Sequence, residues 1–438
     1  MSMVNAFTNE NLEQLGETEK ALIARREKVL GPAYRLFYER PLHLMRGEGI
    51  WLYDADGRRY LDAYNNVASV GHCHPRVVEA MASQSGILNS HTRYLHEGIV
   101  DYAERLTATF PAYLSQAMFT CTGSEANDLA YRIARHVTGG SGIVITSLAY
   151  HGLTNAVAEF SPSLGEAVNL GTHVRTVPAP DSYRIPPEEM QEKFGRDVRA
   201  AIADLKRHGI KPAMLIVDTI FSSDGIFAGP KGFLKPAVAA IREAGGLFIA
   251  DEVQPGFGRT GEAMWGFQRH GVEPDMVTIG KPMANGYPMA GIVMKPEMIA
   301  DFGPKARYFN TFGGNPVAAA AGSAVLEVIQ GENLQRNAAD TGNHLMAGLR
   351  RLAETCPQLG DVRGSGLFVG VEIVSDADRK TPDAAMTTRI VNGLRERGVL
   401  ISGSGPHASI LKIRPPLIFS RDNADLLVES LRDTLAKA

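Results

Sequence analysis

Between residues 70 and 325 short apolar runs alternate with stretches of helical periodicity, and this alternation limits the chain to very few folds. Seven runs stand out, at residues 117–121, 143–146, 174–177, 214–217, 247–250, 276–279 and 292–294. Most of them are apolar along their length rather than at every second position, 174–177 (VRTV) being the exception. Strands covered on both faces have that composition, as when helices wrap a parallel sheet on either side. The expected fold is α/β: a large domain over residues 70–325 with a mostly parallel seven-stranded sheet flanked by helices. Past residue 325 the pattern changes. A long helical stretch (324–355), an apolar run (367–373), a helix near 383–397, strands at 399–401 and 410–413 and a closing helix from 421 predict a smaller α+β C-terminal domain over 326–438. Residues 1–69 read as an N-terminal helix and hairpin segment. Residues 11–30 have helical periodicity, and Asp54-Ala55-Asp56-Gly57 supplies a turn between two strand-like arms. At 438 residues the chain exceeds what one compact core holds, which agrees with this division.

Open α/β sheets bind ligands beyond the carboxyl ends of their strands, so those ends direct the search for chemistry. The run ending at Ala250 delivers Asp251 and Glu252, and the run ending at Ile279 delivers Gly280 and Lys281. A carboxylate and a lysine presented together suit pyridoxal 5'-phosphate (PLP). The lysine forms a Schiff base with its aldehyde and the acid keeps the ring nitrogen protonated. Two strand-end charges forming an ordinary ion pair would give the same pattern. Asp251 must stay ionised for the PLP role. Lys281 must lose its proton, and desolvation drives it that way. Val253 is positioned to pack on the ring face and Gln254 to donate to the ring's phenolic oxygen.

Other strand ends add to this. Residues 121–127 (CTGSEAN) follow an apolar run and open a helix. Gly123 lets backbone approach an anion, Ser124 adds a hydroxyl, and the helix start favours a phosphate. Thr122 or Ser124 acting as a plain N-cap is the alternative, and the two roles are compatible. Tyr150, followed by His151 and Gly152, offers a flat ring to stack on a planar cofactor, or else is a partly buried loop aromatic. The Gly-rich loop at 309–316, with a hydroxyl at Thr311, is a third anion feature or a simple loop and helix cap.

Composition excludes several classes. A formal charge of −3 argues against nucleic acid or an anionic membrane as a main partner. Three cysteines without CxxC spacing point to a reducing compartment, and the polar first 30 residues to no secretory signal, so a cytoplasmic protein is expected. No metal is expected: the cluster GHCHP (71–75) lacks a second ligand pair, and His270 and His407 default to packing or surface roles.

With these pieces in order, the chain resembles the class III aminotransferases, fold type I PLP enzymes, over essentially its whole length. The motifs are GHCHP, TGSEAND, AYHG, FIADEVQPGFGRTG, TIGKPMANGYP, FNTFGGNP and RGSGLFVGVEI, in that order. The resemblance implies that Gly123 and Ser124 bind the PLP phosphate and Tyr150, beside His151, stacks on the ring. It also implies that Asp251 pairs with the pyridine nitrogen, Val253 packs behind the ring, Gln254 reaches its oxygen and Lys281 carries the cofactor. The Thr311 loop would reach the phosphate of the neighbouring subunit, implying an obligate homodimer with shared active sites. Further pairing into a tetramer is left open. NNVASVGHCHP, NSHTRYLHEGIVDYAERL, CTGSEANDLA and GPHASILKIRPPLIF are most similar to the ethanolamine-phosphate phospho-lyase branch.

Two departures from the aminotransferase pattern matter. Where many members carry an arginine that grips a substrate carboxylate, this chain has Lys412, a point charge in place of a bidentate fork. Asp218 stands where members commonly carry Glu. Both bear on the substrate, a small-molecule amine. The expected reaction is elimination of phosphate from O-phosphoethanolamine or a related phosphorylated amine, with transamination as the alternative and a non-catalytic PLP-binding protein as the reading from another class. Asn66, Lys412 and Arg414 are the substrate-binding candidates. Lys412 and Arg414 share one face of their strand, turned either to the cleft or to solvent.

Overall fold

The structure, a computed structural model, describes residues 5–437. Its central sheet has seven strands, ordered Gln116–Thr120, Ala290–Met294, Met276–Ile279, Leu247–Asp251, Pro212–Asp218, Gly142–Thr146 and Val174–Val177. All seven apolar runs form these strands. The last five are mutually parallel, and Ala290–Met294 runs antiparallel to both its neighbours. Alternate residues feed opposite cores. Val144, Leu215, Val217, Phe248 and Ala250 pack to one side, and Ile143, Ile145, Met214, Ile216 and Ile249 to the other. On the inner strands both faces are buried, which explains why these read as continuous apolar runs.

Register positions the functional groups. Asp218 pairs with Asp251, and Asp251 with Thr278. Three parallel strands therefore end level, and two carboxylates and the segment leading to Lys281 emerge at one edge. The helix Gly123–Thr138 begins at the same edge. A reciprocal capping box fixes its start: Thr122 accepts from the Glu125 N–H, and Glu125 accepts from the Thr122 N–H.

A second, antiparallel sheet is built from Leu359–Ser365, Phe368–Asp376, Ile410–Ile413 and Ser402–Ser404. Helices Leu334–Ala353 and Ala384–Glu396 pack on it, and Arg421–Leu435 packs on those helices. The expected single helix over 324–355 is instead two, Pro316–Gly331 and Leu334–Ala353. The break falls at Asn333, which adopts φ 52°, a left-handed conformation that asparagine tolerates. Each half buries its own apolar face, so the periodicity carried across the break. The strand Leu359–Ser365 was not expected. Its sequence (LGDVRGS) is polar because the buried Arg363 pairs with Glu372 at 2.9 Å.

A third sheet joins distant parts of the chain. The N-terminal strands Leu44–Glu48, Trp51–Asp54 and Arg59–Asp62 pair in sequence. The C-terminal strand Val399–Leu400 then adds parallel to the last, with Val399 opposite Leu61 and Leu400 opposite Asp62. Among the described residues no helix is long and apolar enough to cross a membrane.

Candidate active site

At the carboxyl edge of the central sheet, Asp251 lies at the centre of a pocket also lined by Gly123, Ser124, Tyr150, Val253, Gln254 and Lys281. Its carboxylate is buried, with 4% of the residue exposed, and three donors fix its orientation. Asn127 Nδ2 donates to Oδ2 at 3.0 Å, His151 Nδ1 lies 2.8 Å from the same oxygen, and the Val253 N–H donates to Oδ1 at 3.1 Å. Asn127 also donates to the His151 carbonyl at 2.6 Å, which locks the helix side chain to the loop. Glu252, the other member of the acid pair, turns away into the core. It accepts from the Gly266 and Phe267 N–H groups and from Thr219, and burial pushes its carboxyl up to about 7.

The glycines of the pocket let its walls approach each other closely. A Cβ on Gly123 would lie 3.0 Å from a Val253 methyl. Gly152 has φ +139°, and a Cβ there would stand 2.5 Å from Ser124 Oγ. Ser124 Oγ accepts from the Leu153 N–H at 3.1 Å, which ties the Tyr150 loop to the helix start. The first N–H groups of that helix lack intrahelical acceptors and carry the positive end of its dipole, a setting for phosphate. Tyr150 is half-buried, and burial raises its phenol pKa.

Lys281 also lines a second cavity, of about 410 Å³, on its other side. Burial, followed by the charge of Arg414, lowers the Lys281 ammonium pKa from its ordinary 10.5 to about 8, against the opposing pull of Asp251 and Asp218. Asn66 and Arg414 line this cavity, with Tyr64, Asp62 and Leu400. Both carboxamide atoms of Asn66 and Nε of Arg414 are buried without a partner among the described residues. The Arg414 guanidinium sits 4.5 Å from the centre of the Tyr64 ring, and its Nη1 donates to Gln254 Oε1. Asp62 holds the wall by accepting from the Tyr64 and Asn65 N–H groups and pairing with His72 at 2.7 Å.

The candidates are thus sorted by position. Gly123, Ser124, Tyr150, His151, Asp251, Val253, Gln254 and Lys281 meet at one pocket, and Asn66 and Arg414 face Lys281 across the adjoining cavity. Lys412 and Arg414 both turn inward, yet Lys412 lines neither cavity. It is buried and donates to the Ser222 carbonyl at 2.8 Å, so it is a tether rather than an open cation. Thr311 lies outside both cavities on an exposed loop between Phe309 and Phe312. Sequence reasoning overlooked Asn127. It sits four residues after Gly123 on the same helix, hence on the same face, and that spacing was a usable signal. Among the described residues no group of three or more His, Cys, Asp or Glu side chains is placed to hold a metal ion.

The donor set fits PLP. The helix start and Ser124 suit its phosphate, the fixed Asp251 its ring nitrogen, and the glycine-lined gap its plane, and Lys281 suits its aldehyde. Comparison with known proteins agrees. Residues 37–435 match the aminotransferase class-III family. A Drosophila melanogaster protein named alanine--glyoxylate aminotransferase 2-like is 40% identical over 97% of this chain and 88% of its own length. Ethanolamine-phosphate phospho-lyase homolog 1 of Caenorhabditis elegans is 35% identical over 95% of this chain and 94% of its own. The solved structure of a phospholyase from Arthrobacter in complex with phosphoethanolamine superposes with a TM-score of 0.93. It shares 44% identity and covers 95% of this chain and all of that one.

Proposed function

Since this chain belongs to the class III aminotransferase family, and is thereby a PLP-dependent enzyme of fold type I, we propose that it is a phospho-lyase. It eliminates phosphate from O-phosphoethanolamine or a related phosphorylated primary amine, giving an aldehyde, ammonia and inorganic phosphate. The observation that carries this reading is the cavity facing Lys281, which Arg414 and Asn66 line with buried polar atoms that have no partner among the described residues. A cation on that wall, with Lys412 withdrawn to Ser222, suits a phosphate held away from the reacting carbon better than a carboxylate attached to it. The likeness to the Arthrobacter and C. elegans proteins supports the same substrate class.

Gly123, Ser124, Tyr150, Asp251, Val253, Gln254 and Lys281 would hold the cofactor, which when bound supplies an electron sink for charge developing on the carbon beside the substrate nitrogen. The rest falls to the chain. Asp251, fixed by Asn127 and His151, keeps a negative charge opposite the ring nitrogen and so keeps that nitrogen protonated. Lys281 Nζ, whose pKa is lowered toward neutrality, takes the proton from the carbon next to nitrogen. The C–O bond to phosphate breaks with its electron pair on oxygen, the proton held on Lys281 Nζ passes to that oxygen, and Arg414 and Asn66 receive the hydrogen phosphate dianion. Water then converts the unsaturated amine to aldehyde and ammonia.

The test is incubation with O-phosphoethanolamine without a keto acid. Sustained release of phosphate and ammonia is expected. Turnover only when a keto acid is added would replace this reading with transamination, the activity named for the D. melanogaster relative.

We further propose a homodimer in which Thr311 faces the partner's cofactor phosphate. Leu88, Tyr94, Leu95, Val100, Phe309 and Phe312 are exposed, more apolar surface than a lone subunit needs. Light scattering that gave the mass of one chain would refute it. The unbridged Cys73, Cys121 and Cys356 support a reducing compartment, which we take as the cytoplasm.

A further inference from the structure

A line of hydrogen bonds connects the two cavities, and none of the roles assigned above uses it. Arg414 Nη1 donates to Gln254 Oε1, Gln254 Nε2 donates to Ser222 Oγ at 2.5 Å, and Ser222 Oγ donates to Asp218 Oδ2. Asp218 is further held by the N–H groups of Ile220 (3.0 Å) and Ser222 (3.1 Å). Arg414 lines the cavity that receives the substrate, whereas Gln254 and Asp218 line the cofactor pocket.

The direction of this line is fixed by chemistry. A guanidinium only donates, so the carboxamide oxygen of Gln254 must face Arg414. Its nitrogen therefore faces Ser222. The hydroxyl has one hydrogen, and the carboxylate of Asp218 takes it. One amide hydrogen of Gln254 is spent on Ser222, and the other is left for the cofactor pocket. Two tethers thus set the orientation in which Gln254 meets the cofactor, one from the anion cavity and one from Ser222.

We propose that Ser222 is a positioning residue that links the anion cavity at Arg414 to the cofactor pocket by holding the Gln254 carboxamide. An anion that draws Arg414 off Gln254 leaves the hydroxyl as the remaining tether, and the carboxamide turns about it. The donor offered to the cofactor changes, so occupancy at Arg414 is felt at the ring. The hydroxyl can be removed cleanly, because the Ser222 main chain is anchored apart from it: its carbonyl accepts from Lys412 at 2.8 Å and from Ser404 at 3.2 Å. The inference rests on the reading that Arg414 receives the anionic group of the substrate.

The experiment compares the holoenzyme with Ser222→Ala, Ser222→Gly and Ser222→Thr at one pH. Inorganic phosphate is the probe. Calorimetry reads its binding, and visible absorbance and circular dichroism read the cofactor. The wild-type cofactor bands are expected to change as phosphate saturates. Ser222→Ala and Ser222→Gly should bind phosphate within about threefold of wild type, because Arg414 is intact, yet lose most of the band change. Their bands without phosphate should also differ from wild type, and Ser222→Thr should restore both properties. Undiminished band changes in the Ala and Gly variants, with unaltered bands in the absence of phosphate, would overturn the proposal. A wild-type enzyme that binds no phosphate, or an Arg414→Met variant that binds it equally well, would overturn the anion reading of Arg414 and with it the link. The phosphate-free spectra would then still report whether Ser222 orients Gln254.

Discussion

The Lys281 ammonium is the group whose perturbation can be followed most directly. With its pKa at about 8, about a quarter of the side chain is neutral at pH 7.5; at the ordinary 10.5 the fraction would be about one in a thousand. Burial and the neighbouring Arg414 charge therefore raise the population of the neutral amine by about two orders of magnitude. Arg414→Met removes the second of these causes while Asp251 and Asp218 continue to favour the ammonium, so the pKa must rise. A rise of about one unit, ordinary for the loss of a close like charge, leaves about 3% neutral at pH 7.5 and cuts reactivity about eightfold. Competitive labelling of apoenzyme with trace acetic anhydride, followed by peptide mass mapping from pH 6 to 11, reads this lysine separately from the others. Wild type should show a midpoint near 8 and Arg414→Met a midpoint near 9, about one unit higher. A wild-type midpoint near 10.5, or a variant midpoint that is unchanged or lower, would refute the account of how the site activates its lysine.

Lys281→Ala should abolish turnover and leave the circular dichroism spectrum and melting temperature close to wild type; a variant that still turns over would mean another amine carries the cofactor. Asn127→Ala deletes a hydrogen bond to a buried carboxylate and should weaken cofactor retention by about 10- to 100-fold, read by equilibrium dialysis. Retention within twofold of wild type would show that His151 and Val253 suffice to hold Asp251. Gly152→Ala places a Cβ 2.5 Å from Ser124 Oγ at a φ of +139°, so it should lower the melting temperature and empty the cofactor pocket together. Full occupancy in that variant would show that the loop can move without cost.

Much of the architecture could be read because burial writes itself into composition. Strands such as Gly142–Thr146 and Leu247–Asp251 are covered on both faces, so their apolar runs stood out against polar loops. The grouping of Gly123, Tyr150, Asp251 and Lys281 at one pocket was legible for a related reason, since each lies shortly after a strand end, whereas Asn127, inside a helix, was not. The substrate side was harder to read. Asn66 and Arg414 meet Lys281 only because residues 62–66 and the end of Ile410–Ile413 fold against the same edge, and no local periodicity encodes that approach. Lys412 misled for a similar reason. Strand alternation gave its face correctly, but not that the Ser222 carbonyl would capture its amine. The break at Asn333 was hidden because apolar spacing continued through it, and Leu359–Ser365 because its buried residues include an arginine paired in the core.

The pairing of Val399–Leu400 with Arg59–Asp62 decides how the cleft is assembled. The shelf that supports the cofactor comes wholly from the middle of the chain, while the opposing wall is stitched from its two ends. The two surfaces belong to different sheets yet are not independent, since Arg414 donates to Gln254 and its charge lowers the Lys281 pKa, so a change on the wall is felt on the shelf. One side of the cleft is thus a single continuous stretch of chain, and the other exists only once the two ends have met.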